Sequence, residues 1–173
     1  MGENSAMLFF KKKKAPEPPV MLTIPPKAEP VEPPDDGQPR KKIMVVDDDP
    51  VVLKALEFTL RSKGYKVVTA TDGSQAIGLM RDEEPDMMLV DVSFPNEMGQ
   101  GWDGFQIAQW IRQMNGKLPT IVMSGADKPE YKQRATVVGA QAFMTKPIDN
   151  ELLLGAIGKA LGVTEVQSPM SKV

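Results

Sequence analysis

Short apolar runs that stop abruptly at a polar residue are the feature that most constrains the fold. The clearest is residues 87–90, Met-Met-Leu-Val, which ends at Asp91 and shows no alternation of apolar and polar side chains. Such a run is typical of a strand buried on both faces of a parallel sheet. Three further runs behave in the same way: residues 43–46 end at Asp47, Asp48 and Asp49, residues 120–123 end at Ser124, and residues 142–145 end at Lys146 and Pro147.

Helical patterns separate these runs, so the segment alternates between strand and helix. The predicted strands are residues 43–47, 65–70, 87–91, 119–123 and 141–145. The predicted helices begin at Pro50, after Ser74, at Phe105, near Pro129 and at Asn150, and Asp49 is the expected N-cap of the first. This alternation predicts an α/β fold, a doubly wound five-stranded parallel sheet covered by helices on both faces. We expect the strand order 2-1-3-4-5, whose switch point lies between strands one and three.

The polar residues that follow the strands point to phosphoryl-transfer chemistry. Asp47, Asp48 and Asp91 would meet at the switch point, where three carboxylates repel one another unless a cation joins them. Mg²⁺ suits a site made of carboxylates, waters and a phosphoryl oxygen. Lys146 adds an ammonium group and Ser124 adds a hydroxyl to the same crevice. Phosphoryl transfer depends on positioning and charge neutralisation, and a carboxylate nucleophile would give an acyl phosphate.

Composition excludes several other kinds of protein. The 173 residues include no cysteine and no histidine, which rules out disulfides, thiolate chemistry, histidine bases and a phosphohistidine on this chain. A phosphohistidine donor would therefore be another molecule. The net charge of -2 gives no sign of nucleic-acid binding, and no apolar stretch is long enough to span a bilayer. We expect a cytoplasmic protein without a membrane span or a secretory signal.

The first forty residues differ sharply from the rest. Nine of the 16 prolines lie between Pro16 and Pro39, a composition that cannot bury enough apolar surface to fold alone. We therefore expect residues 1–40 to be a disordered proline-rich tail. Residues 7–14, Met-Leu-Phe-Phe followed by four lysines, are its one concentrated signal. A solvated tail, a docking motif for a partner protein and marginal attachment to a membrane surface remain open for that stretch.

Five separated positions carry the polar and aromatic residues of the predicted strand ends. They are Asp47-Asp48, Asp91, Ser124-Gly125-Ala126, Phe143 and Lys146-Pro147. In residue type, order and place on the strands, they resemble the receiver domain of two-component response regulators, the group that includes the chemotaxis protein CheY. The resemblance covers about residues 41–162 and implies the flavodoxin-like, CheY-like strand order already expected. It leaves residues 163–173 as a flexible C-terminal tail.

The resemblance implies how the carboxylates are used. Asp91 would be the phosphoacceptor. Mg²⁺ would be held by Asp48, Asp91 and the backbone carbonyl of Ser93, with Asp47 acting mainly through a metal-bound water. Lys146 would pair with Asp91 and then with the phosphoryl group. The plain alternative for the first aspartates is a cluster that only caps the first helix.

The resemblance also implies a switch. Ser124 would act in catalysis and move toward the phosphoryl oxygen, and Phe143 would turn inward as that space opens. The Lys146–Pro147 peptide bond is expected to be cis. Each residue also has a plainer interpretation: Ser124 as a turn hydroxyl, Lys146 as a surface lysine, and Phe143 as a core aromatic in a buried strand.

One stretch departs from the family pattern. The loop after Asp91 is longer than usual, because residues 96–103 delay Gly104, the glycine that opens the third helix. The extra residues lie beside the predicted site and would affect partner fit or access to it. Residues 99–104 also match G-x-G-x-x-G, but they do not directly follow the first strand, and the next strand lacks an acidic residue to hold a ribose. Dinucleotide binding is therefore not expected.

Together these features predict a phosphorylation-dependent signalling switch, and not an enzyme with a substrate of its own. A sensor histidine kinase or a histidine phosphotransfer protein would phosphorylate Asp91, and the face formed by helix four, strand five and helix five would respond. Only 27 residues follow Lys146, so we expect output through a downstream protein partner and no direct DNA binding. We expect a monomer or a weak dimer. A receiver-like scaffold that acts without phosphorylation is the alternative.

Overall fold

The computed structural model describes residues 40–93 and 103–162, which form a five-stranded sheet flanked by five helices. The strands are β1 (Lys42–Val46), β2 (Lys66–Ala70), β3 (Met87–Asp91), β4 (Thr120–Ser124) and β5 (Ala142–Thr145). The helices are α1 (Pro50–Ser62), α2 (Gly73–Glu83), α3 (Gly104–Met114), α4 (Pro129–Val137) and α5 (Asn150–Leu161). All neighbouring strands are parallel, in the order β2-β1-β3-β4-β5. The predicted fold class and strand order are confirmed.

Several expectations fall outside the described residues. They are the disordered tail as far as residue 39, the flexible tail after residue 162, and residues 94–102 of the enlarged loop, which include most of the G-x-G-x-x-G match. Within the two described ranges, no helix combines the length and the apolar character that crossing a membrane requires.

Two cores, one on each face of the sheet, explain the unbroken apolar runs. Successive residues of a strand point to opposite faces, and every residue of β3 is buried. On one face, Met44 and Val90 pack with residues of α2, α3 and α4. On the other face, Val45 and Leu89 pack with residues of α1 and α5. Each fully buried side chain of this size stabilises the fold by about 1.5–3 kcal/mol, so both faces must be apolar.

Aspartates at the carboxyl edge of the sheet start four of these helices. The N-caps of α1, α2, α3 and α5 are Asp49, Asp72, Asp103 and Asp149. Each side chain accepts a hydrogen bond from a backbone N–H of the first turn, which stabilises a helix by about 1 kcal/mol. The prediction for Asp49 is confirmed. Helix α2 begins at Gly73, inside the predicted turn, because Asp72 already caps it.

Strand β5 is less buried than its apolar run predicts. It lies at the edge of the sheet, and its four residues are half-buried or exposed. Phe143 is half-buried and packs against the core on the α2, α3 and α4 face. The expectation of a strand buried on both faces is therefore wrong for β5, because an edge strand has a neighbour on one side alone.

Candidate functional site

The predicted site residues meet at the carboxyl edge of the sheet. Val46 of β1 pairs with Val90 of β3, so Asp47 and Asp91 are the next residues along two neighbouring strands. This is the switch point of the strand order, where such sheets bind ligands. The ends of β4 and β5 complete the edge. The predicted catalytic and metal-binding residues at this edge are Asp47, Asp48, Asp91, Ser93, Ser124 and Lys146.

Three carboxylates form a compact cluster here. Asp47, Asp48 and Asp91 each place a carboxylate oxygen within 4.8 Å of the others. Asp47 is fully buried and Asp91 is 2% exposed, whereas Asp48 faces solvent. Within the described ranges, this is the one group of three or more acidic side chains whose spacing suits a metal ion. An all-oxygen ligand set of this kind suits a hard divalent cation such as Mg²⁺.

Lys146 places its ammonium between the two buried carboxylates. Its Nζ lies 2.6 Å from Oδ2 of Asp47 and 3.2 Å from Oδ1 of Asp91. Burial by itself would lower the pKa of Lys146, but the hydrogen bond with Asp47 and the charges of both aspartates outweigh burial, so the pKa is raised. Lys146 is therefore protonated at neutral pH. Its peptide bond to Pro147 is cis, as expected.

The backbone holds each buried carboxylate through one oxygen. The N–H of Asp49 donates to Oδ1 of Asp47 at 3.0 Å, and the N–H of Ser93 donates to Oδ2 of Asp91 at 2.9 Å. Apart from the Lys146 ammonium, the second oxygen of each carboxylate has no hydrogen-bond partner among the described residues. Buried carboxylate oxygens usually have several partners. This spare capacity means that the residues fit a divalent cation.

The charges at the site also act on Asp91. Burial raises the pKa of Asp91 above its ordinary value, and the neighbouring charge of Asp47 adds to the rise. The ammonium of Lys146 and the N–H of Ser93 lower the pKa without cancelling that rise. One ammonium faces three carboxylates, so the crevice keeps an excess of negative charge that a bound cation would offset.

Ser124 and Phe143 lie on the neighbouring strands β4 and β5. Ser124 is fully buried, and its Oγ accepts a hydrogen bond from the N–H of Ala126 at 3.1 Å. This hydrogen bond is the one expected if Ser124 acts only as a turn residue. The hydroxyl accepts in this bond, so it can still donate its own proton to another group. Phe143 lines a surface cavity of about 400 Å³ between β5 and the start of α5.

The start of α3 supports the site in a way that the sequence did not predict. A Cβ added to Gly104 would lie 1.8 Å from the carbonyl oxygen of Asp91, so α3 packs directly on the backbone of that residue. Asp103 and Gln106 form a capping box that fixes the first turn of α3, with both hydrogen bonds at 2.8 Å. The D-x-x-Q spacing is visible in the sequence, but the contact of Gly104 with Asp91 depends on tertiary structure.

Comparison with known proteins identifies the family and several relatives. The sequence model of the response regulator receiver domain matches residues 43–158. The alkaline phosphatase synthesis transcriptional regulatory protein PhoP of Bacillus subtilis is 30% identical to this chain over 122 residues. The probable transcriptional regulatory protein TcrX of Mycobacterium tuberculosis is 34% identical over 122 residues. These alignments cover 70% and 69% of this chain but 49% and 50% of the relatives, so the chain spans about half the length of the curated relatives it matches.

Solved structures share the fold. The chemotaxis protein CheY4 of Vibrio cholerae is 27% identical with a TM-score of 0.64, and the match covers 70% of this chain and 99% of that one. A putative response regulator from Chloroflexus aurantiacus is 26% identical with a TM-score of 0.66, over 72% of this chain and 99% of that one. The family match spans the whole acidic crevice, from Asp47 to Lys146, and the chain therefore belongs to the response regulator receiver domain family.

Proposed function

We propose that this chain is a phosphorylation-dependent signalling switch that accepts a phosphoryl group on Asp91. The observation that carries the proposal is the pair of buried carboxylates, Asp47 and Asp91, joined by the ammonium of Lys146. Buried charges of this kind are often less favourable than apolar side chains of the same volume, so a role in chemistry accounts for them better than stability does. Membership of the receiver family supports the same chemistry.

The proposed donor is a phosphohistidine on a sensor histidine kinase or a histidine phosphotransfer protein, because this chain contains no histidine. A carboxylate oxygen of Asp91 attacks the phosphorus atom while the bond from phosphorus to the imidazole nitrogen of the donor breaks. The electron pair of that bond leaves with the imidazole, and Asp91 becomes an acyl phosphate. The burial of Asp91 limits the access of competing water.

The proposed Mg²⁺ ligands are Asp48, Asp91 and the backbone carbonyl of Ser93, with Asp47 acting through a water. Asp48 suits direct contact because its carboxylate is exposed at the mouth of the crevice. Asp47 suits an indirect role because the ammonium of Lys146 lies closer to its Oδ2, at 2.6 Å, than to Oδ1 of Asp91, at 3.2 Å. When bound, the cation offsets the negative charge that the phosphoryl group brings.

Lys146 is proposed to hold the phosphoryl group after transfer. Its ammonium is already 3.2 Å from the Asp91 carboxylate, and its raised pKa keeps it charged at neutral pH. A compact ammonium on a flexible stem can follow a new oxygen as it appears. The contact with Asp47 at 2.6 Å anchors the side chain while the acceptor changes from carboxylate to acyl phosphate.

Ser124 and Phe143 are proposed to convert the modification into a change of surface. The Ser124 hydroxyl donates to a phosphoryl oxygen, and Phe143, on the strand that lines the cavity next to α5, turns inward as the space beside Ser124 opens. The surface that changes is the face formed by α4, β5 and α5, where Leu152 is 69% exposed beside the same cavity. A downstream protein that binds one state of this face more tightly would carry the output.

Intact mass measured after incubation with acetyl phosphate, with and without Mg²⁺, tests the proposal. The wild type is expected to gain one phosphoryl group in a Mg²⁺-dependent manner, and Asp91→Asn is expected to gain none. Asp49→Asn is the matched control, because asparagine also caps a helix and Asp49 lies beside the cluster without belonging to it. This control should be modified like the wild type.

Two results would count against the switch. The first is no phosphoryl gain by the wild type together with no Mg²⁺ binding in a calorimetric titration, which would leave the phosphorylation-independent scaffold as the better account. The second is an equal gain by Asp91→Asn, which would place the acceptor elsewhere on the chain.

A further inference from the structure

A polar and aromatic cluster joins α4 to the start of α3, outside the acidic crevice. Arg134 of α4 makes an ion pair with Asp103, the N-cap of α3, with 2.7 Å between Nη2 and Oδ2. The guanidinium also lies over the ring of Phe105, 4.2 Å from its centroid. The same ring packs against Tyr131 of α4 at a centroid distance of 5.8 Å. Arg134 thus holds both the cap and the first aromatic residue of α3.

The start of α3 is in turn packed on the backbone of Asp91. A Cβ on Gly104 would lie 1.8 Å from the Asp91 carbonyl oxygen and 2.7 Å from its carbon, so no space separates the two segments. The N–H of Gly104 also donates to the carbonyl of Val92 at 3.4 Å. A continuous series of contacts therefore runs from Arg134 through Asp103 and Gly104 to Asp91.

Helix α4 has few other attachments. Ala135 is its one buried residue, and its N-cap, Lys128, makes no side-chain hydrogen bond to the helix. Elements with few buried apolar contacts open at low free energy. The contacts of Arg134 with Asp103 and Phe105, together with the packing of Tyr131 on Phe105, therefore join α4 to the start of α3.

We propose that Arg134 is a positioning residue that couples the position of α4 to the backbone of Asp91 through the cap of α3. The inference rests on the proposed function, because it concerns the reaction of Asp91. While Arg134 holds Asp103, the start of α3 stays against Asp91 and fixes its carboxylate for reaction. When α4 moves away, that support loosens and Asp91 reacts more slowly. By linkage, ligands of the Asp91 site and a partner that binds one position of α4 change each other's affinity by the same factor.

A purely structural ion pair would behave differently. The Arg134 and Asp103 side chains are 47% and 30% exposed, and exposed ion pairs contribute little to stability. Removing the pair should therefore change the melting temperature slightly. A clear fall in the rate of Asp91 phosphorylation with little change in melting temperature would therefore indicate positioning and not general destabilisation.

Arg134→Gln and Asp103→Asn are the test variants, because asparagine keeps the helix cap while it removes the charge. We would measure the rate of phosphorylation by acetyl phosphate with Mg²⁺, the melting temperature, and amide hydrogen exchange at Gly104 and Gln106 without a phosphodonor. Each variant is expected to slow phosphorylation by about 2- to 30-fold, the range seen for residues that modulate coupling. Exchange at both amides is expected to be faster.

Three further variants sharpen the test. The double variant of Arg134 and Asp103 should match the single variants, because each change removes the same contact. Arg134→Lys keeps the charge and should restore part of the rate. Lys54→Gln is the matched control, since it removes an exposed ion pair with Glu57 on α1, on the opposite face of the sheet, and should leave the rate unchanged.

The outcomes separate this inference from the proposed function. If the wild type is phosphorylated and Arg134→Gln has the same phosphorylation rate and the same amide exchange, the inference is overturned and the proposed function stands. Additive losses in the double variant also overturn it, because the two residues would then act separately. If the wild type takes no phosphoryl group, the proposed function fails, and amide exchange without donor decides whether Arg134 positions the segment of Asp91.

Discussion

Replacing Gly104 with alanine is expected to impair both the fold and the reaction of Asp91. The added Cβ would lie 1.8 Å from the carbonyl oxygen of Asp91 and 2.7 Å from its carbonyl carbon. Ordinary contact begins at 3.4 Å, so α3 or β3 must move by about 1.6 Å. The contacted atoms are backbone atoms of a buried strand, which cannot rotate away as a side chain can.

This displacement sets the size of the expected loss in unfolding free energy and in phosphorylation rate. Forcing extra atoms into packed space costs about 1–3 kcal/mol, and we expect the upper part of this range because the clash is with backbone. A misplacement of about 1 Å at a reacting group can slow a reaction by about 100-fold. We therefore expect Gly104→Ala to lose about 2–3 kcal/mol of unfolding free energy and to phosphorylate at least about 10-fold more slowly.

Gly155→Ala in α5 is the matched control. A Cβ at Gly155 would meet nothing within 4 Å, and alanine is favoured over glycine in a helix by about 1 kcal/mol. This variant should be slightly more stable than the wild type and should react at the same rate. Denaturant unfolding and the initial rate with acetyl phosphate provide the two measurements. A Gly104→Ala protein that matches Gly155→Ala in both would refute the contact between α3 and Asp91 as a support of the site.

Three further predictions concern other parts of the domain. Partial burial would raise the pKa of Asp86, but its hydrogen bonds, led by the one from Lys41, outweigh burial and lower it. The stability that Asp86 contributes is therefore present above the ordinary carboxylate pKa and is lost as the pH falls through the lowered pKa. In denaturant titrations, Asp86→Asn should lower the unfolding free energy by less than about 1 kcal/mol at pH 7 and should have no effect at low pH. Mg²⁺ at about 100 times its dissociation constant should raise the unfolding free energy by about 2.7 kcal/mol, and a chelator should remove this increase. Asp48→Asn should show little of the increase. An equal increase in that variant would contradict the assignment of Asp48 as a metal ligand. Leu89→Ala, in the fully buried central strand, should cost about 2–5 kcal/mol, whereas Leu152→Ala, at 69% exposure, should cost less than about 0.5 kcal/mol, and equal losses would contradict the burial.

The sheet was predictable because burial on both faces leaves a signature in the strands themselves. The apolar runs that end at Asp47 and Asp91 gave β1 and β3 to within a residue, and the alternation with helices gave the parallel order. The prediction was weakest at β5, where an edge position leaves Phe143 half-buried although its run is as apolar as the others. An apolar run indicates a strand, but it does not show whether that strand lies at the centre or at the edge of the sheet.

The acidic cluster was predictable for a related reason, since parallel strands bring their carboxyl ends to one edge. The residues that support this cluster were not predictable from the sequence. Gly104 approaches the backbone of Asp91, and Arg134 reaches Asp103 across 31 positions of sequence. No periodic pattern joins such positions, because these contacts depend on how α3 and α4 are placed after the chain has folded.

Mapping the phosphoryl group to a single residue tests the central claim most directly. Protein treated with acetyl phosphate and Mg²⁺ would be reduced with borohydride, which converts an aspartyl phosphate to homoserine, and then digested and sequenced by mass spectrometry. We predict homoserine at Asp91 and at no other aspartate, with none when Mg²⁺ is omitted. Homoserine at Asp47 or Asp48, or at no position in a protein that is folded and binds Mg²⁺, would contradict the account.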